Sequence, residues 1–143
     1  MQYPKIEFGS WIEWGDRDSI ENSKEPGVYA LAKFATAQPS GVDPLDRRII
    51  YFGETCTQNL QQRWKQFDNS AFKQKGGHSG GKTYRAKYPG DAGSNLYVSA
   101  MPVPLGKEIE NEAIRESFIR YAERKLILDY TLRWKDRPKC NTK

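Results

Sequence analysis

The chain has 143 residues, a length that suits one domain built around one hydrophobic core. Its net charge of +5 favours an anionic partner but does not identify one. The two cysteines, Cys56 and Cys140, form no CxxC or Cys/His cluster, which argues against a structural zinc site and a disulfide framework. No apolar run approaches the length of a signal peptide or a membrane span, so we expect a soluble, cytoplasmic protein without membrane contact.

The first half of the chain predicts an antiparallel hairpin. Residues 6–14 fit either a short strand or a helix capped at Ser10, and their pattern does not separate the two. The turn signal Pro26-Gly27 then leads into a first strand, and a loop rich in proline and glycine connects it to a second. The expected bounds are about 28–36 for the first strand, 38–46 for the loop and 47–54 for the second strand.

A helix follows the hairpin. Thr55 or Thr57 is the expected cap, and the helix should end near Phe67. Leu60, Trp64 and Phe67 recur at helical spacing, which places them against the core.

Glycine and basic side chains dominate residues 68–94. The stretch is long for a structureless loop, so it is either functional or partly disordered. A third strand at 96–103 and one long amphipathic helix at 107–134 complete the domain. The apolar stripe expected to be buried on that helix is Ile114, Phe118, Tyr121, Leu128 and Leu132.

Two tyrosines stand beside glycines in the predicted hairpin. Tyr29 ends a Gly-Val-Tyr tripeptide at 27–29, and Tyr51 begins a Tyr-Phe-Gly tripeptide at 51–53. Antiparallel pairing of the two strands brings both phenols near one surface. Packing in the core is the commoner role of a single strand tyrosine, but the glycine-bounded pair favours a functional site.

Arg63 and Glu123 lie on predicted helices and each has an ordinary alternative. Arg63 is a solvated helix residue or a bidentate ligand of a phosphate oxygen pair. Glu123 shares a helix face with Ile119 and Ile127, so its carboxylate is partly desolvated. It forms a salt bridge with the neighbouring Arg120 or Lys125, or it binds Mg²⁺, which needs few carboxylates.

His78 lies between glycines and lysines in the expected loop 68–94. A lone histidine in a flexible loop is more often incidental than catalytic. The surrounding Gly-Gly-His-Ser-Gly-Gly-Lys run departs from the phosphate-binding loop pattern, and no strand feeds it, which argues against nucleotide triphosphate binding.

In their order along the chain, these residues resemble the GIY-YIG endonuclease family. The resemblance runs from about residue 26 to residue 141, and five ordered motifs carry it although each is weak alone. The motifs are Gly27-Val28-Tyr29, Tyr51-Phe52-Gly53, Asn59-Leu60-Gln61-Gln62-Arg63-Trp64, Tyr121-Ala122-Glu123-Arg124 and Pro138-Lys139-Cys140-Asn141.

The resemblance implies an α/β fold with a small three-stranded antiparallel sheet flanked by helices, and hydrolysis of DNA phosphodiesters with one Mg²⁺ or Mn²⁺. Glu123 would hold the metal and Arg63 would bind the scissile phosphate. One of Tyr29 and Tyr51 would take a proton from the attacking water, which requires a lowered phenol pKa. Which tyrosine does so stays open. Asn141 would support the site by hydrogen bonds, and His78 is similar to a histidine of some phage members.

The same resemblance divides the chain into an N-terminal extension, 1–26, that packs on the core and a nuclease domain, 27–143, with an insertion at about 68–94. Insertions in this family grip DNA, so we expect phosphate contacts from the basic residues of this one. A double-strand cut needs two copies or two visits, which leaves a homodimer and a separate specificity partner open. The expected DNA-contacting residues are Lys73, Lys75, Lys82 and Arg85.

Two rival functions remain. A nucleic-acid-binding module with the same fold but no turnover would bind DNA in a salt-dependent way without product. A protein-interaction domain in which the tyrosines only pack would show no DNA affinity. Retention of both Arg63 and Glu123 argues against the inactive module.

Overall fold

A four-stranded antiparallel sheet organises residues 3–142, the part of the chain that this computed structural model describes. The strands are β1 (Ile12–Glu13), β2 (Gly27–Lys33), β3 (Ile49–Thr55) and β4 (Leu96–Pro102), in the spatial order β1-β4-β2-β3. A 3₁₀ helix (Trp14–Ser19) follows β1, and the α-helices are α1 (Leu60–Phe72), α2 (Ser79–Lys87) and α3 (Glu112–Trp134).

The mixed α/β class and the antiparallel sheet are confirmed, but the expected number of three strands is wrong. The extra strand, β1, is only two residues long and pairs Ile12 with Val98 and Glu13 with Tyr97. Two residues are too few to show the alternation that identifies a strand in a sequence. The open choice for residues 6–14 is therefore resolved as a strand followed by a 3₁₀ helix.

The predicted hairpin is present and contains an irregularity that matters for the site. Leu31 pairs with Tyr51 and the next residue, Ala32, pairs with Ile49, so Ile50 is an extra residue on β3. Such a bulge sends two successive side chains toward the same face. Ile50 and Tyr51 therefore both join the core beneath α1 and α2.

Helix α1 begins later and ends later than the sequence predicted. Its cap is Asn59, whose side chain accepts from the backbone N–H of Gln62, while the Gln62 side chain accepts from the backbone N–H of Asn59. This reciprocal capping box satisfies two amide groups that a helix start leaves unpaired. Thr55 instead ends β3, and its hydroxyl donates to the carbonyl of Gln58.

The segment 68–94 is not the loop that its composition predicted. Its first residues extend α1, and Ser79–Lys87 form α2 despite two glycines, Gly80 and Gly81, in the first turn. Both glycines are buried. Close packing of α2 on α1 thus overrides the low helix propensity of glycine.

Helix α3 begins at Glu112 after the cap Asn111, and its buried face differs from the predicted stripe. Tyr121, Leu128 and Leu132 were expected to be buried but are exposed, whereas Phe118 is buried as expected and Ile114 is partly buried. The buried face comprises Phe118, Ile119, Ala122, Leu126, Ile127 and Tyr130. None of the helices within residues 3–142 is both long and apolar enough to cross a bilayer.

The two faces of the sheet carry separate cores. Val28, Ala30 and Phe52 face α3, together with Trp11 from the segment before β1. Tyr29, Leu31 and Ile50 face α1 and α2, where Trp64 and Phe67 cover them. Alternation of side chains along β2 divides its residues between the two cores.

The C-terminal segment covers the outer edge of β3. The Asn141 side chain accepts from the Phe52 N–H and donates to the Phe52 carbonyl, each at 2.9 Å. One residue earlier, the Cys140 N–H donates to the Ile50 carbonyl at 2.7 Å. The tail therefore satisfies backbone groups that an edge strand otherwise leaves open.

We predict that Asn141→Ala lowers the free energy of unfolding by about 1–3 kcal/mol, because it removes two hydrogen bonds from a partly buried strand edge. Urea denaturation followed by tryptophan fluorescence measures the change. Thr142→Ala is the matched control, since its carbonyl, which accepts from Arg137, is unchanged. Equal midpoints for the two variants would contradict a role of Asn141 in closing this edge.

Candidate active site at the edge of strand β3

Side chains from β2, β3, α1, α3 and the segment before α2 lie close enough together to contact one another or to shift one another's pKa. Tyr29 and Tyr51 lie with ring centroids 6.0 Å apart, and the Tyr51 and His78 rings are 6.1 Å apart. The Tyr29 hydroxyl is 3.4 Å from Nε2 of His78. Together with Arg63, Glu123 and Asn141, these residues are the six that the sequence singled out.

Glycines make the close approach to the two phenols possible. A methyl group on Gly53 would lie 2.6 Å from the Tyr29 hydroxyl oxygen and 2.7 Å from a carbon of the Tyr51 ring. On the opposite side, a methyl group on Gly80 would lie 2.6 Å from Cζ of Tyr51. Any larger side chain at either position would push the rings apart, so the glycine of the second tripeptide shapes the site directly.

The two tyrosines differ in access to solvent. Tyr29 is fully buried, whereas Tyr51 is only partly buried. Burial raises the pKa of Tyr29 well above its ordinary value, with Tyr51 adding to the rise, and burial raises the pKa of Tyr51 to about 12. Phenolate is poorly solvated in such surroundings. In the protein alone, therefore, neither phenol has the lowered pKa that a base requires.

Arg63 acts electrostatically on the whole group. Its positive charge opposes the burial-driven rise in the pKa of both tyrosines and is the second cause, after burial, of the lowered pKa of His78. Nη1 of Arg63 donates to Oε1 of Gln66 at 2.9 Å, which fixes one side of the guanidinium. The remaining N–H groups are a planar donor set of the kind that binds phosphate.

His78 is part of the buried structure and not a residue of a flexible loop. It is buried and caps α2, with Nδ1 accepting from the Gly81 N–H at 3.1 Å. Its own backbone N–H donates to the Ser70 hydroxyl at 2.9 Å. Burial, followed by Arg63, lowers the pKa of His78 to about 4, so the ring is neutral near pH 7.

The cap also fixes which ring nitrogen of His78 carries the hydrogen. Because Nδ1 accepts a hydrogen bond, a neutral ring has its hydrogen on Nε2. Nε2 then donates to the Tyr29 oxygen, and this leaves the Tyr29 hydroxyl hydrogen free to point toward the neighbouring Tyr51. His78 thus orients Tyr29 instead of accepting its proton.

Glu123 is a partly buried carboxyl group whose charge is unfavourable in this environment. Burial and the nearby Glu54 raise its pKa to about 7, and Arg124 and Arg63 oppose the rise. The two helical neighbours considered as salt-bridge partners pair with other carboxylates, Arg120 with Glu116 at 2.9 Å and Lys125 with Asp129 at 2.6 Å.

Glu54 is a site residue that the sequence reasoning missed. It follows the second tripeptide directly and raises the pKa of Glu123, Tyr29 and Tyr51. Its Oε2 accepts a hydrogen bond from the Cys56 thiol at 2.9 Å. A carboxylate next to the Tyr-Phe-Gly tripeptide was the signal available, because that strand position lies beside Gly53.

A divalent cation fits this pair of carboxyl groups. Two neighbouring acids, one with its pKa raised to about 7, form an electrostatically costly arrangement that a cation relieves. No cluster of three or more histidine, cysteine, aspartate or glutamate side chains suited to a metal occurs among residues 3–142. Two carboxylates would leave most coordination positions to water, which is the way Mg²⁺ commonly binds to proteins.

The side chains expected to contact DNA are in different situations. Lys75 and Lys82 are exposed, while Lys73 pairs with Asp68 at 3.6 Å. Nη1 of Arg85 donates to the Ser70 carbonyl at 2.9 Å, so this guanidinium helps to hold α2 against α1.

We predict that His78→Asn makes stability less sensitive to acid, because asparagine retains a cap acceptor but does not titrate. The lowered pKa of His78 contributes stability that is complete above pH 6.5 and is lost as the pH falls toward 4. Between about pH 7.5 and about pH 4.5, the wild type should lose about 2 kcal/mol more than the variant in urea unfolding. Equal losses of unfolding free energy in the wild type and in His78→Asn would contradict the assignment of His78 as a buried, neutral residue.

No protein-family model matches the chain, and no curated protein and no solved structure matches it either.

Proposed function

We propose that the chain is a metal-dependent DNA endonuclease of the GIY-YIG type that hydrolyses phosphodiester bonds. The observation that carries the proposal is that Arg63 on α1 and Glu123 on α3 both act on the pKa of two phenols that lie side by side on β2 and β3. Hydrolysis of a phosphodiester needs positive charge near the phosphate oxygens, a group that accepts a proton from water, and stabilisation of the leaving oxygen. These residues supply the chemical groups for those tasks.

Arg63 is proposed to bind the scissile phosphate. Its guanidinium is partly buried, is held on one side by Gln66 and has donors left over. Two parallel N–H donors match two phosphate oxygens, and the low polarity around Tyr29 and Tyr51 strengthens that interaction.

Tyr51 is proposed to face the attacking water, and Tyr29 is proposed to hold Tyr51 in position. The reason is access: Tyr51 is partly exposed, whereas Tyr29 is fully buried and receives a hydrogen bond from His78. Because the pKa of Tyr51 is about 12 in the protein alone, water attack through this phenol becomes faster as the pH rises.

Glu123 is the proposed metal ligand, with Glu54 beside it. Mg²⁺ or Mn²⁺ bound there would supply positive charge that favours ionised oxygen groups and neutralises charge on a phosphate. The chain's own part is to present an ionised carboxylate, which Glu123 does fully only above a pH of about 7. The same proposal includes two kinds of partner: a second copy of the chain for cleavage of both strands, or a separate protein that supplies sequence specificity.

The pKa of Glu123 predicts how metal affinity depends on pH. Below pH 7 a proton competes with the cation, so Mn²⁺ affinity should fall about tenfold per pH unit, and above pH 7 it should level off. Titration calorimetry with Mn²⁺ and no DNA measures this. Glu110→Gln, on an exposed residue, should behave as wild type, and Glu123→Gln should lose the binding. An affinity that is constant from pH 5.5 to pH 8.5 would refute the assignment.

Cleavage of supercoiled plasmid in Mg²⁺ tests the function itself. We expect nicking by the wild type and by Glu110→Gln, and a loss of about 100-fold or more in rate for Glu123→Gln and Arg63→Lys. Lysine keeps the charge of Arg63 but not its paired donors. Equal nicking by wild type and Glu123→Gln would refute the metal role. DNA binding without product at any metal concentration would favour the inactive binding module.

A further inference from the structure

A second concentration of positive charge lies on the same strand edge, beyond the candidate active site. A cavity of about 400 Å³ opens where β3 begins, between the end of α2 and the end of α3. Five cationic side chains and one carboxylate, Asp136, line it. We call it the basic pocket. The cations are Lys33, Arg47, Arg48, Arg137 and Lys139.

Two of these cations are neutralised within the protein. The Lys33 ammonium contacts Oδ2 of Asp91 at 2.6 Å, and the Arg48 guanidinium pairs with Asp46 at 2.9 Å. For Arg47, Arg137 and Lys139, no ion pair is found among residues 3–142. With Asp136 as the opposing charge, the pocket keeps an uncompensated charge of about +2.

Aromatic rings and a backbone carbonyl hold the three unpaired cations. The guanidinium of Arg47 lies 4.9 Å from the Trp134 ring centroid, and the ammonium of Lys139 lies 6.0 Å from that of Tyr88. Nη1 of Arg137 donates to the Thr142 carbonyl at 2.9 Å. Cation–π contacts orient a cation without cancelling its charge, so these side chains remain available to an anion.

The pocket and the candidate active site share one continuous edge. Ile50 lines the pocket, and its carbonyl accepts a hydrogen bond from the Cys140 N–H. Two residues further along β3, the Phe52 N–H donates to the Asn141 side chain. Gly53 lies three positions beyond Ile50 along β3, a distance of about 10 Å. Helix α3 gives the same separation between pocket and site. Tyr130 lines the pocket and Glu123 belongs to the site, and they are seven residues, or about 10 Å, apart along the helix.

We propose that the basic pocket is a second phosphodiester subsite, which binds the backbone of the DNA strand that occupies the candidate active site. This inference rests on the proposed function. A separation of about 10 Å is within the span of a few nucleotides of one DNA strand, so one backbone can reach both the pocket and the candidate active site. All three unpaired cations are exposed. An open site of this kind suits a polymer that runs across it better than a small molecule that must be enclosed.

Salt-dependent DNA binding in EDTA tests the subsite separately from cleavage. Fluorescence anisotropy of a labelled duplex is measured for wild type, for Arg47→Gln/Lys139→Gln and for the control Lys5→Gln/Lys107→Gln. The control removes the same charge from exposed residues that line neither site. We expect the pocket variant to bind about tenfold more weakly at 0.1 M salt and to lower the slope of log affinity against log salt by about 2.

Lys139→Gln alone should lower the slope by about 1. This variant provides the test if the double variant does not fold. Lys139 is exposed and has no hydrogen bond among those found in residues 3–142, so its replacement should leave the fold intact. Equal slopes for pocket and control variants would overturn the subsite even if plasmid is cleaved. A lower slope without plasmid cleavage would support the subsite and reject the nuclease.

A free nucleotide offers the same phosphate chemistry, and titration with AMP separates the two sources. We expect no saturable AMP binding at millimolar concentration. Saturable AMP binding that Lys139→Gln removes, with an unchanged DNA slope, would assign the pocket to a mononucleotide and overturn the proposal. Absence of DNA binding by the wild type would also overturn it.

Discussion

The pairing of Asn141 with both backbone groups of Phe52 is the interaction on which the site depends. An edge strand whose outer groups are unpaired is free to fray or to pair with another chain. Here the Asn141 side chain and the Cys140 N–H close the edge without adding another strand. Helices α1 and α3 pack on opposite faces of the sheet that this strand borders.

Burial, more than any single charge, sets the chemistry along this edge. It raises the pKa of Tyr29, Tyr51 and Glu123, and lowers that of His78. All four shifts disfavour the charged form of the group. In the protein alone, the surroundings of the Arg63 guanidinium therefore favour the neutral form of each of these four groups. The basic pocket extends the same positive field along β3.

Much of the fold followed from local pattern, and its failures have physical causes. The hairpin and the core positions Leu60, Trp64 and Phe67 were predictable because alternation and helical spacing are strong signals. The helix in 79–87 was hidden by Gly80 and Gly81, whose missing side chains let α2 pack closely on α1. The buried face of α3 was misplaced because exposed Leu128 and Leu132 have the same hydrophobicity as buried residues.

The sequence by itself determined the strand pair, the candidate site residues and the positive charge, because these depend on residue types and short spacings. Only the tertiary structure decided their relations. The bulge at Ile50 turned Tyr51 toward Tyr29, helix packing buried His78 as a cap, and the tail of the chain reached β3. Contacts between residues far apart in the chain depend on how all elements pack at once, and no local pattern encodes that packing.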